Sequence, residues 1–434
     1  MEPYKSDSVP SGDQLKYTGK RLLMLDQTAG YKNITDQASG VSLRLAFSSD
    51  YKSHEEDYVK AFSEADGIVF DRFGVAVVNE DHEDQISALT AAEKSFRYSE
   101  PERYVYALGQ RTGIRFIPAN LWRLICKLFN INPGNPAPSP PVDNPVFEDD
   151  TQAFWGIHAI NALASSFTGK GIGLAILDTG MYEGHPDFAG RAIKLKSFIE
   201  GESVEDQHGH GTHCAGIAAG HIHMDTAIRY GTAREADLYI GKVLSNSGVG
   251  SDSGILAGMD WAIGNGCKVI SMSLGASVGE GDRYSDIYND LAKKAMDMGT
   301  LIIAAAGNDS RRRQGIIRPV NHPANCPAIL AVGALDNRSG VADFSCGGIN
   351  PDGGKVDIAA PGVEIYSTWR EPHQHAVLSG TSMATPFAAG VAAMLWEAHP
   401  DAEASEIWEK LTESARQLRH PARDVGAGLL QAPM

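Results

Sequence analysis

The sequence is short of cysteine, of positive charge and of long apolar runs, and each shortage excludes something. Its five cysteines in 434 residues (Cys126, Cys214, Cys267, Cys326 and Cys346) are odd in number and widely spaced. A disulfide framework needs a dense, even set, so free thiols in a reducing compartment fit better. Lys and Arg together number 38 against 54 Asp and Glu, a net charge of -16. A chain so acidic repels phosphate backbones, which excludes nucleic-acid binding through a general basic field. No run approaches the roughly 20 apolar residues of a membrane span. The apolar run near the start, Leu22-Leu23-Met24-Leu25, is too short for the core of a secretory signal, so the expected location is cytoplasmic. Apolar residues themselves are not scarce. At 43% hydrophobic and 21% charged, the composition is that of a globular protein able to bury a core. The length suggests two or three folding units.

Residues 1–19 are polar and read as a flexible tail. Residues 20–108 read as a small α+β unit. Arg21 to Asp26 reads as a strand, His54 to Ala65 as a helix, and Gly67 to Asn79 as a strand or hairpin rich in β-branched residues. Asp84 to Ala92 reads as a second helix and Tyr104 to Leu108 as a last strand. Residues 109–150 differ. Ala119 to Asn130 is a short amphipathic helix that suits packing on a neighbouring domain better than a membrane surface. Six prolines between Pro133 and Pro145 then make a stiff, extended linker. Residues 151–434 alternate buried strands with helices. The strands are Ile172–Leu177, Leu238–Val243, Val269–Met272, Leu301–Ala306 and Ile329–Val332, and the helices Gly211–Ala219, Gly254–Asn265 and Ile287–Met298. Such alternation predicts an α/β fold, a mostly parallel sheet with helices on both faces.

Four segments carry chemistry. Leu174 to Gly180 is a buried strand ending in Asp178 and a glycine turn, and strand ends are where open α/β sheets form sites. Read alone, Asp178 is as well explained by the turn. His208 to Gly216 is rich in small residues that let a helix start close to the sheet, with His210 in reach of a strand end. Read alone, the histidine is structural or a metal ligand. Gly380 to Pro386 opens a helix whose Ser382 lies near free N–H groups and the positive end of the dipole, where a plain N-cap serine also sits. Pro386 is expected in that helix's first turn. Together these segments fit one mechanism, because a hydroxyl nucleophile needs a base and the base needs a carboxylate behind it. Leu301 to Asn308 adds a strand ending in Gly-Asn, whose Asn308 amide is placed to donate to an oxyanion.

The motifs ILDTG, HGTH, GTSMATP and AAAGN, in this order of Asp, His and Ser, resemble those of the subtilisin-like serine proteases, the subtilase family. The resemblance runs from about Trp155 to Leu430. It implies that Asp178, His210 and Ser382 form the triad of a serine endopeptidase and that Asn308 stabilises the oxyanion. It implies that Ser273, Leu274 and Gly275 pair with the substrate backbone. It places Asp309 at the rim and Asn321 near the base of the primary pocket, and Asp252 near a pocket further upstream, where the two carboxylates suit basic side chains. Protein or peptide substrates follow, with no cofactor required for the chemistry. Structural calcium is frequent in such enzymes, and Asp187 matches one ligand position. Two departures are Phe387, where many relatives have His, and Gly231-Thr232-Ala233-Arg234 in place of the usual Gly-Val-Ala-Pro. Residues 20–108 resemble the family's inhibitory propeptide, an intramolecular partner whose strand Tyr104 to Leu108 is suited to enter the cleft.

Other readings fit less well. An aspartic protease needs a second carboxylate, and Asp252-Ser253-Gly254 lacks a preceding apolar strand. A metallo-hydrolase of the His-x-His-x-Asp-His kind needs Asp where Thr212 stands. An incidental metal site at His208, His221 and His223 fits better than a zinc enzyme, though less well than the triad. Gly169 to Gly173 precedes its strand where a dinucleotide loop follows one. An inactive, scaffolding relative is disfavoured because all four catalytic positions are filled.

Overall fold

A computed structural model describes residues 16–26, 31–51, 64–91, 96–109, 145–223 and 227–434. The predicted helix over 119–130, the proline linker and most of the predicted helix at 54–65 lie outside these residues. Among the described residues no helix is long and apolar enough to cross a membrane.

Strict alternation governs the N-terminal unit, which contains β1 (Tyr17–Leu25), α1 (Tyr31–Gly40), β2 (Leu45–Phe47), β3 (Gly67–Phe70), β4 (Val75–Asn79), α2 (Glu83–Ala91) and β5 (Phe96–Ala107). Strand side chains point to opposite faces in turn. Leu23, Leu25, Val69, Ala76 and Val78 therefore face one side, where Ile34 and Ala38 of α1 and Ile86 and Leu89 of α2 cover them. Leu22, Met24, Ile68, Val75 and Val77 face the other side and join the core of the larger unit. Helix α1 and strand β2 were not anticipated, since the α1 sequence is polar apart from that one stripe.

The larger unit opens with α3 (Trp155–Ala159), β6 (Gly173–Asp178), β7 (Lys194–Ser197), α4 (His210–Ala219), β8 (Asp237–Lys242), β9 (Val249–Ser251) and α5 (Asp252–Gly264). It continues through β10 (Val269–Met272), β11 (Leu274–Gly275), α6 (Asp286–Asp297), β12 (Leu301–Ala305), β13 (Leu330–Leu335) and β14 (Ile358–Pro361). It closes with β15 (Ile365–Thr368), β16 (His375–Leu378), α7 (Thr381–Ala398), α8 (Ala404–Glu413) and α9 (Ala422–Val425). Seven strands in the order β14-β13-β12-β10-β6-β8-β7 form one sheet. All six of its pairings are parallel. Leu174 and Ile176 of β6 face the cluster that holds α4 and α7, while Ala175 and Leu177 face the cluster that holds α5 and α6. The fold is the expected α/β one, preceded by a small α+β unit.

Strand β5 joins the two units. It pairs antiparallel with β1 on one side, and its last residues pair with β9 and β11 of the larger unit. It is longer than the predicted Tyr104–Leu108 because its charged residues have helix ends to meet. Glu102 Oε1 accepts from the Ser253 N–H at 2.8 Å and Glu100 Oε1 from the Ile287 N–H at 3.2 Å. Each carboxylate thus satisfies a free donor in the first turn of α5 or α6, at the positive end of the helix dipole.

Candidate active site

The carboxyl edge of the central sheet gathers the expected residues. Asp178 is the last residue of β6 and His210 the first of α4; they are 0% and 1% exposed. His210 Nδ1 and Asp178 Oδ1 are 2.7 Å apart. The helix start comes this close because residue 211 is glycine, where a Cβ would stand 2.3 Å from the Gly180 carbonyl oxygen. Asp206, which the motif reading missed, ties down the approach. It accepts from Thr179 Oγ1 at 2.9 Å, from the Gly209 N–H at 2.8 Å and from Thr212 Oγ1 at 2.7 Å.

Burial by itself pushes the His210 imidazole down, but the adjacent Asp178 carboxylate, together with Cys214, more than offsets this and holds it well above the ordinary value. Cys214, one helical turn on, has its Sγ 3.9 Å from His210 Nδ1. Burial raises that thiol above its ordinary value.

Ser382 is the second residue of α7 and is fully buried. Its Oγ donates to the Ser273 carbonyl at 3.0 Å, and Ser273 Oγ donates back to the Ser382 carbonyl at 2.8 Å. Pro386 explains the second bond. It lies beyond the first turn where it was expected, because the helix starts at Thr381. A proline there removes the N–H that would bond the carbonyl four residues earlier, and Ser273 supplies the donor instead. His210 Nε2 has no hydrogen-bond partner among the described residues. A rotation of Ser382 about χ1 changes which acceptor its hydroxyl faces, and catalytic hydrogen bonds are often loose before reaction.

Asn308 follows the end of β12. Its Oδ1 accepts from the Thr381 N–H at 2.9 Å and from Thr381 Oγ1 at 3.0 Å, which turns the amide nitrogen outward. That nitrogen donates to the carbonyl oxygen of Leu108. Thr381 is a positioning residue that sequence reasoning missed, though it stands inside the GTSMATP motif.

The cleft is filled by the chain's own strand. Leu274 and Gly275 pair with Ala107 and Tyr106, as expected of the 273–275 segment, and Val249 to Ser251 form a second wall against Tyr104 to Tyr106. The Leu108 N–H donates to the Ser273 carbonyl at 3.2 Å and the Ala107 N–H to the Gly248 carbonyl at 3.0 Å. A Cβ on Gly109 would stand 3.0 Å from His210 Cδ2. The Leu108–Gly109 peptide bond therefore lies between the imidazole and the Asn308 amide. Val105 is fully buried in the cluster that includes Leu244, Ile255 and Leu274.

The expected pocket residues are near one another but already engaged. Asp309, at the surface, accepts from Ser277 Oγ and from Asn321 Nδ2, each at 2.9 Å. Asn321 is 1% exposed. Asp252 is not a solvated rim charge but fully buried. Its carboxylate accepts from the Arg103 N–H at 2.8 Å and faces His322 Nε2 at 3.1 Å, with the Arg103 guanidinium 3.8 Å away. Burial would raise this carboxyl, but His322 and Arg103 hold it below the ordinary range. Of the two departures, Phe387 packs as expected, at 2% exposed.

Among the described residues, Asp187 is not surrounded by the oxygens that calcium needs. Its Oδ2 accepts from Tyr230 Oη at 2.7 Å and pairs with His375 Nε2 at 2.9 Å. Calcium takes six to eight oxygens, and the groups converging here are imidazoles and a phenol. Residues 224–226 of the nearby loop lie outside the described residues. The expected grouping of His208, His221 and His223 is not formed among the described residues. Among the described residues, the clusters with metal-ligand spacing are Asp178-His210-Cys214 and His185-Asp187-His375.

A sequence profile described as the subtilase family matches residues 169–428. Subtilisin DY of Bacillus licheniformis is 36% identical over 263 residues, covering 60% of this chain and 90% of that protein. Thermitase of Thermoactinomyces vulgaris is 40% identical over 228 residues, 52% of this chain and 75% of that protein. Among solved structures, sphericase superposes with a TM-score of 0.56 at 34% identity, covering 64% of this chain and 98% of that one.

Proposed function

The chain belongs to the subtilase family and is a subtilisin-like serine endopeptidase, and from that premise we propose that it is made as a self-inhibited precursor whose first substrate is its own Leu108–Gly109 bond. Ser382 is the nucleophile, His210 the general base, Asp178 the carboxylate behind it and Asn308 the oxyanion donor. The observation that carries the reading is the Leu108 carbonyl resting on the Asn308 amide while Gly109 stands so near His210 that a Cβ on it would come within 3.0 Å of the ring.

The chemistry follows from these positions. Ser382 Oγ leaves the Ser273 carbonyl, attacks the Leu108 carbonyl carbon and passes its proton to His210 Nε2. The Leu108 oxygen takes up negative charge, and the Asn308 amide already points at it. Asp178 stabilises the imidazolium that forms. The imidazolium then protonates the Gly109 nitrogen as the C–N bond breaks, leaving Leu108 acylated on Ser382. Water attacks the acyl group with His210 again as base, which frees Ser382 and a Leu108 carboxylate. Until it departs, the strand keeps later substrates out. Those substrates, extended protein segments, add between β9 and β11 in its place. No cofactor takes part in these steps.

A serine-directed fluorophosphonate tests the assignment. It is expected to label Ser382 after the N-terminal unit has been displaced and to label His210→Ala hardly at all. Labelling of a different serine, or equal labelling of His210→Ala, contradicts the roles.

A further inference from the structure

Away from the cleft, His185, Asp187 and His375 converge with exposures of 1%, 5% and 6%. One donor atom from each lies within 4.8 Å of the other two. We propose that these three side chains bind a divalent transition ion of the zinc class, in place of the calcium that Asp187 was expected to help hold.

Donor chemistry comes first. Two imidazole nitrogens and one carboxylate oxygen make a set that suits zinc and its neighbours, whereas calcium selects an all-oxygen cage. The supports around the donors are also in place. The Nε2 side of His185 lies 2.6 Å from the Gln374 carbonyl oxygen, which accepts only, so Nε2 carries the proton and Nδ1 keeps its lone pair. Metal-bound imidazoles are commonly anchored in this way. Tyr230 Oη holds the Asp187 carboxylate at 2.7 Å. The His375 ring is stacked on those of His223 and Tyr366, with centroids 4.4 Å and 5.2 Å away, which fixes its plane.

Spacing is compatible. Zinc bonds of 2.0–2.1 Å place tetrahedral donors about 3.4 Å apart. Asp187 Oδ2 and His375 Nε2 are 2.9 Å apart, and a ring nitrogen of His185 lies within 4.8 Å of a donor atom of each. The ion takes the place of the hydrogen bond that His185 Nδ1 accepts from the Asp187 N–H at 3.2 Å and of the direct Asp187–His375 bond. His185 and Asp187 lie on or beside the short turn Pro186–Phe188, and His375 opens β16, which ends three residues before Thr381. The ion thus ties the loop after β6 to the hairpin that leads into the nucleophile's helix.

The experiment uses the full chain carrying Ser382→Ala, so that it does not cleave itself, stripped with chelator and titrated with zinc or calcium chloride. One equivalent of zinc is expected to bind and raise the melting temperature, with no comparable effect of calcium. Asp187→Asn and His375→Gln are each expected to weaken zinc binding at least about tenfold. Cys214→Ala and the exposed His399→Gln should leave it intact. No zinc uptake, or an equal effect of calcium, overturns the proposal. So does binding that survives His375→Gln but is lost in Cys214→Ala, because that places the ion at Asp178-His210-Cys214. If a ligand variant does not fold, cobalt decides in the Ser382→Ala chain. A tetrahedral nitrogen–oxygen spectrum supports the site, and a thiolate-to-cobalt band or no band overturns it.

Discussion

Several buried histidines in this protein rest on buried aspartates, and a comparison of two of them shows why only His210 is set to react. His210 lies 2.7 Å from Asp178, and His322 lies 3.1 Å from Asp252. What differs is the company each pair keeps. Asp252 also faces the Arg103 guanidinium, and burial, with that cation nearby, leaves His322 below the ordinary imidazole value despite its carboxylate. Its ring packs edge-on against Tyr288 at 4.6 Å. His210 is also buried, but its carboxylate prevails and lifts it. Its far nitrogen has no partner among the described residues and sits beside the Leu108–Gly109 bond. A carboxylate behind an imidazole is thus not enough. The second nitrogen must face a reacting atom, and at His322 burial together with a nearby cation outweighs the help the carboxylate gives.

The largest effect separates the two pairs. Asp178→Asn is expected to lower kcat by roughly 10⁴-fold, because the ring loses its orienting acceptor. Asp252→Asn should leave kcat of the processed enzyme within about threefold. Equal losses in steady-state kinetics would erase the distinction drawn between the pairs. Next comes the group beyond the reactive ring. Asn308→Leu keeps the volume and removes the donor, with an expected loss of about 10²–10³-fold in kcat, a magnitude established on a subtilisin. A variant that loses affinity while keeping kcat would contradict the role.

Asp252→Asn acts on stability instead. Removing one partner of a buried ion pair typically costs about 3–5 kcal/mol. In a Ser382→Ala background the melting temperature is therefore expected to fall, and the N-terminal unit to come away more readily, since Asp252 also binds the Arg103 N–H. An unchanged melt would show the pair to be idle. The smallest effect is on pH dependence. His210 has a raised folded value, so its protonation stabilises the fold in full below the unfolded imidazole's value of about 6.5, and that share is lost as pH rises through the folded value. The base must be neutral to act, so the acid limb of self-cleavage should lie above the ordinary imidazole value, and His210→Gln should flatten the stability profile. A limb below that value contradicts the assigned electrostatics.

The catalytic unit was readable because fully buried parallel strands are continuous apolar runs. Val269 to Met272, for example, forms a strand with those same bounds. The reacting residues sit at ends of such runs or at glycine-marked helix starts, where the local signal is strong. The groups that position them were less visible. Asp206 and Thr381 act through hydrogen bonds to residues distant in the chain, which local pattern does not report. The same holds for Glu100 and Glu102, polar in sequence yet seated on helix ends of the other unit. Asp187 was read as an oxygen ligand because His375, which pairs with it, lies 188 residues away.

The most direct measurement is intact-mass spectrometry of the wild-type chain and of Ser382→Ala, purified in parallel. Fragments ending at Leu108 and beginning at Gly109 are expected from the wild type, and a single uncut chain from Ser382→Ala. A wild type that is active yet uncut at this bond, or a Ser382→Ala chain cut there to the same extent, would contradict self-cleavage by Ser382.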